Sequence, residues 1–168
     1  MRGIAALILT AIIAAAFAGA AHGDTGFYRV LAAKPNAEYE DAVRAFHELA
    51  TGRSAGDNAT FASLAGELVS RKIARPEWTS DPKARLTRGR AAYLLCQALH
   101  IKGGVTMSVF GPSERYCFRE CLYLGVWPGG NQRDLMTGGE LMGVLKWAAD
   151  YQEEHEKKPP AEAPPPKP

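Results

Sequence analysis

Pro82-Lys83-Ala84-Arg85-Leu86-Thr87-Arg88-Gly89-Arg90 runs straight into Ala91-Ala92-Tyr93-Leu94-Leu95-Cys96-Gln97-Ala98-Leu99, and this stretch decides the fold. The proline marks a loop. Thr87 has the side-chain oxygen that an N-cap needs, and Ala91, Leu94, Leu95, Ala98 and Leu99 recur at helical spacing. Gly103-Gly104 stops the helix. Upstream, Glu67-Leu68-Val69-Ser70-Arg71-Lys72-Ile73 ends an earlier helix. The unit is therefore helix, loop, capping Thr, helix.

The same order returns further on. Glu120-Cys121-Leu122-Tyr123-Leu124-Gly125-Val126 leads through a loop to Met136-Thr137-Gly138-Gly139-Glu140-Leu141-Met142-Gly143-Val144-Leu145-Lys146-Trp147-Ala148. Repeated supersecondary units of this kind bury one face each and cover the rest by stacking. Working outward, Asn36 is placed to cap a helix from about 37 to 50 with Tyr39, Val43, Phe46 and Ala50 on one face. Asn58 or Thr60 starts another, with Phe61, Leu64, Ala65, Leu68 and Val69 inward, and Pro76 prevents its continuation. Val105 to Phe110 fits a short strand or one more helical turn, and helix is preferred. Ser113 caps a helix over 114–124 with Gly125 behind it. The expectation is an all-α domain of five or six helices built on two helix-loop-helix repeats.

Composition agrees with a folded core. The chain has 168 residues, 46% hydrophobic and 23% charged, with a net charge of +2. That balance excludes nucleic-acid binding by bulk charge and a strongly acidic disordered chain. The ends differ from the middle. Residues 1–23 read as a secretory signal: Arg2, an apolar run from Ile4 to Ala18, and small residues before Gly23, with an uncleaved anchor as the alternative. Cleavage leaves no stable membrane span. Residues 153–168 read as a charged, proline-rich disordered tail, extended from 158 onward because proline cannot continue a helix. Between the ends lie a segment at 24–59 with one helix, a first repeat at 60–111 and a second at 112–152. The expected location is outside the cytoplasm: periplasm, envelope or cell surface.

Three cysteines, Cys96, Cys117 and Cys121, permit one disulfide, from Cys96 to Cys117 or Cys121, or three buried thiols. The C-x-x-x-C spacing has no nearby His and is not a zinc pattern. No metal or cofactor is expected. Asn58-Ala59-Thr60 fits a glycosylation acceptor, a short and common pattern.

The spacing Pro82-x-x-x-Leu86-Thr87-Arg88, followed by an apolar helix, resembles the S-layer homology (SLH) domain. The departures are Arg90 where the family has Glu, Gly138 where it has Arg, Lys72 where it has the turn glycine, and the absence of the Trp-Ala pair that opens its first helix. The resemblance covers roughly 60–150, two units where the family usually shows three. It implies a domain that binds peptidoglycan or wall polysaccharide and holds an exported protein at the surface, with the Thr as a cap and Arg88 pointing into a groove.

The residues add their own reasons. Arg85, Arg88 and Arg90 lie beside a helix start, where guanidinium forks and exposed N–H groups both favour anions. Trp78 and Trp127 sit in loops and present either sugar-stacking faces or core plugs. Arg115 and Arg119 share a helical face and read as solvated. No nucleophile, metal-binding or phosphate-loop motif appears. His47 lacks a second His at metal spacing, His100 ends a helix, and Glu77 and Asp81 are the only loop acids near Arg88. The leading expectation is a non-catalytic envelope module binding a wall polymer. The alternatives are a protein–protein adaptor using the proline-rich tail or Met107, Val109 and Phe110, and an enzyme acting on wall sugars.

Overall fold

The computed structural model describes residues 25–56 and 58–157. Residues 1–24 and 158–168, on which the expectations of a secretory signal and of an extended proline-rich end fall, lie outside them. The described residues form seven α-helices and no strand: α1 (Thr25–Ala33), α2 (Tyr39–Thr51), α3 (Phe61–Ser70), α4 (Arg88–Ala98), α5 (Val105–Phe110), α6 (Glu114–Tyr123) and α7 (Gly138–Lys157). None of them is long and apolar enough to cross a membrane.

Local chemistry sets most of the starts. The hydroxyls of Thr60, Thr87 and Ser113 accept from the N–H groups of Ser63, Arg90 and Tyr116, as N-caps do. Thr137 accepts from the Glu140 N–H at 3.1 Å, and the Glu140 carboxylate accepts from the Thr137 N–H at 2.9 Å, which closes a capping box. The stops are equally local. Lys72 and Gly125 take left-handed φ angles of 61° and 78°, and the chain turns out of α3 and α6 there.

Three expectations need correction. The count is seven helices, because the segment at 24–59 holds two. The nine residues of α1 are too few for stability alone and are held by burial of Leu31 beside α7. Asn36 is not the cap of α2. Glu38 caps it through a box with Asp41, and the Asn36 side-chain oxygen accepts from Arg85 instead. Residues 153–157 are not tail. They extend α7, where the His155 ring stacks on Tyr151 with centroids 3.8 Å apart.

The second helices of three helix-loop-helix units meet at their starts. The units are α1–α2, α3–α4 and α6–α7, with α5 inserted between the second and third. Ala37 N–H donates to the Met136 carbonyl at 2.9 Å, Met136 N–H to Leu86 at 3.0 Å, and Leu86 N–H to Ala37 at 2.9 Å. These bonds close a ring one residue before each cap.

The next N–H groups, which a helix start leaves without partners, are met by a neighbouring loop. Tyr39 and Glu40 donate to Ala84 and Pro82, Arg88 and Gly89 to Asp134 and Gln132, and Gly138 to Lys34. Each unit thus finishes the helix start of another. Around this ring Leu31, Tyr39, Phe46, Leu68, Leu86, Leu94, Met136, Leu141 and Val144 are buried in one core.

Candidate functional site

The starts of α4 and α6 open onto one groove of about 640 Å³, lined by Arg75, Arg85, Arg90, Arg115 and Arg133 together with Thr87, Ser113, Glu114 and Gln132. Five arginines and one carboxylate, Glu114, thus line it. Like charges at this density repel, and an anion relieves them. Arg75 is anchored by the Pro112 carbonyl at 3.2 Å and lies over the Tyr93 ring at 4.7 Å, with Glu77 3.7 Å away. Arg85 is held by Asn36. The guanidinium groups of Arg90, Arg115 and Arg133 meet no carboxylate among the described residues. The Arg90 guanidinium carbon lies over the Trp78 ring at 5.5 Å and the Tyr39 ring at 6.0 Å, so its charge rests on two aromatic faces and on no carboxylate. Burial pushes the Tyr39 phenol up to about 12, against the pull of the Arg90 charge.

Arg88 does not line this groove. Its Nη1 donates to the Gly129 carbonyl and the Asp134 carboxylate, both at 3.2 Å, and its Nη2 to Glu140 at 2.5 Å. With 20% of the side chain exposed, it ties the start of α4 to the loop and first turn of the last unit. The expectation that Arg88 points to a ligand thus gives way to a bridging role. The partners that occupy it lie 46 and 52 residues away, beyond any local pattern.

Trp78 and Trp127 are 7% and 5% exposed, so neither offers a face to a sugar. Trp78 packs edge-on against Tyr39 and Tyr93, and Trp127 packs at a tilt against Phe118. Both take the core-plug role. Trp78 still contributes to the groove from beneath, as the platform of Arg90.

Sequence reasoning found Arg85 and Arg90 and missed Arg75 and Arg133 as lining residues. It also left Arg115 to solvent. A signal was present for Arg115: like Arg88 and Arg90, it sits in the first turn after a hydroxyl cap.

The loop acids are engaged locally. Glu77 faces Arg75, and Asp81 accepts from the Lys83 N–H at 3.0 Å to shape a turn. His47 is buried, with Nε2 2.9 Å from the Glu67 carboxylate. The His47 ring and Arg71 both favour the charged form of Glu67 and lower its pKa.

All three thiols are free and buried. Cys96 Sγ lies 3.9 Å from Cys121 Sγ, and Cys117 Sγ lies 4.0 Å from the Met107 sulfur. The adjacent Cys96, and burial after it, push the Cys117 thiol far up. Among the described residues no group of three or more His, Cys, Asp or Glu side chains is arranged to hold a metal ion.

The chain matches no family model, no curated protein and no solved structure.

Proposed function

We propose that this chain is an exported, non-catalytic module of the cell envelope that holds a carboxylate-bearing wall polymer in the arginine groove. The observation that carries this reading is the set of three guanidinium groups, Arg90, Arg115 and Arg133, that face one groove without a carboxylate partner among the described residues. Guanidinium recognises carboxylate through paired N–H donors, and such charge-assisted bonds are about twice as strong as neutral ones. The signal-like segment and the SLH resemblance support the same reading. The three helix-loop-helix units lend weight to kinship with that family, which usually shows three. The binding residues are then Arg90, Arg85 and the newly located Arg75, Arg115 and Arg133, while Arg88 holds the units together.

Co-sedimentation of the purified chain with cell-wall sacculi tests the reading. Wild type is expected to bind, more weakly as salt rises. Arg115→Ala and Arg133→Ala are each expected to weaken binding roughly tenfold, the loss of one charged hydrogen bond. Binding that ignores both substitutions and salt would sink the proposal.

A second reading, a protein-binding adaptor, rests on the face around α5. Val105, Val109, Phe110 and Tyr123 are 81%, 67%, 73% and 86% exposed there. It gains if sacculi capture nothing and a defined envelope protein is lost on Val109→Ser with Phe110→Ser.

A further inference from the structure

The three second helices start on one plan, and one of them departs from it inside the groove. In the first unit the third helical residue is Asp41, whose carboxylate accepts from the Glu38 N–H at 2.9 Å. In the third unit it is Glu140, which accepts from the Thr137 N–H at 2.9 Å. In the middle unit it is Arg90. The Thr87 hydroxyl still accepts from the Arg90 N–H at 3.3 Å, but no described residue accepts from the Thr87 N–H. Where two units place a negative charge of their own, the third places a positive one.

A helix start by itself selects nothing. Here the departure coincides with the groove in which Arg75, Arg85, Arg115 and Arg133 converge, and with a guanidinium set on Trp78 and Tyr39 rather than paired. The resident carboxylate of the groove, Glu114, lies on the Gly89 side, 3.1 Å from where a Gly89 Cβ would stand. Its charge disfavours a second anion there and leaves the Thr87 side open.

We propose that a carboxylate of the bound polymer completes the capping box of α4, one oxygen accepting from the Thr87 N–H and the other from the Arg90 guanidinium. Arg90 is then the residue that selects a carboxylate. The inference rests on the reading of the groove as the wall-polymer site and adds where the charged group docks.

Arg90→Glu is the decisive variant, because it rebuilds within the chain the Thr-x-x-Glu box that α7 already has. It is expected to melt no lower than wild type and to lose at least tenfold in sacculus binding. Sacculi whose carboxylates have been converted to methylamides are expected to bind wild type as weakly. Unchanged binding by Arg90→Glu, while Arg115→Ala and Arg133→Ala weaken it, would overturn this inference and leave the groove reading standing. Failure of wild type to bind sacculi would overturn both.

A measurement on wild type guards against a variant that does not fold. In an amide NMR titration with muramyl dipeptide, which carries a free carboxylate, the Thr87 N–H is expected to shift downfield. A Thr87 signal that stays in place at saturation would overturn the proposal.

Discussion

At the start of α7, Thr137 and Glu140 exchange bonds and Arg88 reaches across to the same carboxylate. At the matching start of α4, Thr87 caps the helix, but the third residue is Arg90, which rests on Trp78 and Tyr39 and meets no carboxylate among the described residues. At both, a neighbouring loop accepts from the first helical N–H groups, two at α4 and one at α7. They differ in their charges: α4 has Arg88 and Arg90 where α7 has Gly138 and Glu140. At the α7 start the one charged group, Glu140, joins units through Arg88. At α4 the charge is left over, which is what a binding surface needs and a purely structural joint does not. Equivalent positions thus differ in whether their charge is neutralised within the chain.

The sharpest way to break the comparison is to crowd both starts. A Cβ at Gly138 would land on the Leu31 carbonyl oxygen, backbone that cannot step aside. Gly138→Ala is expected to cost about 3 kcal/mol, the upper end of overpacking, read by urea denaturation. At Gly89 the new methyl meets the Gln132 carbonyl at 2.9 Å and the movable Glu114 side chain at 3.1 Å. Gly89→Ala is expected to cost about 1 kcal/mol. Equal costs would show that the two joints are equally tight.

A smaller effect comes from removing the charge that closes the α7 start. Glu140→Ala opens the box and strips Arg88 of one partner, and about 2 kcal/mol is expected to be lost. The same carboxylate predicts a pH dependence. Burial opposes its charge, but the Thr137 N–H and Arg88 outweigh burial, and its pKa lies below the ordinary 4.5. A carboxyl depressed in the folded state stabilises fully above its unfolded pKa. That contribution fades as pH falls from about 4.5 through the lower folded value. Wild type is therefore expected to lose stability over this window faster than Glu140→Gln, in thermal melts at stepped pH.

The smallest contrast lies in the caps. Thr137→Ala and Thr87→Ala each remove a hydroxyl cap, worth about 1 kcal/mol. The Thr137 variant is expected to lose the more, because its hydroxyl belongs to a reciprocal pair. Thermal denaturation of the two variants side by side would show a difference of a few tenths of a kcal/mol.

Helix positions were readable where the deciding bonds are short in sequence. Thr60, Thr87, Ser113 and Thr137 each accept from a residue three positions on, so four starts could be named from local pattern alone. Asn36 misled because an equally good cap, Glu38, follows two residues later, and the ring bond at Ala37 places the helix start after it. α1 was missed because its stability comes from α7, more than a hundred residues away. The groove was half legible. Arg85 and Arg90 announced themselves beside a cap, but Arg75, Arg115 and Arg133 join them only through folding.

By itself the order of residues determined the all-α character, the capped starts and the glycine-marked stops, because cap bonds and left-handed turns span only a few positions. Only the tertiary structure decided that a third unit closes the ring, that Trp78 and Trp127 are buried, and that Arg88 is paired with carboxylates while Arg90 rests on aromatic rings. Side-chain charges carry no label for their partners. Asp134 and Glu140 neutralise Arg88 across the unit boundary, and no carboxylate does so for Arg90 among the described residues.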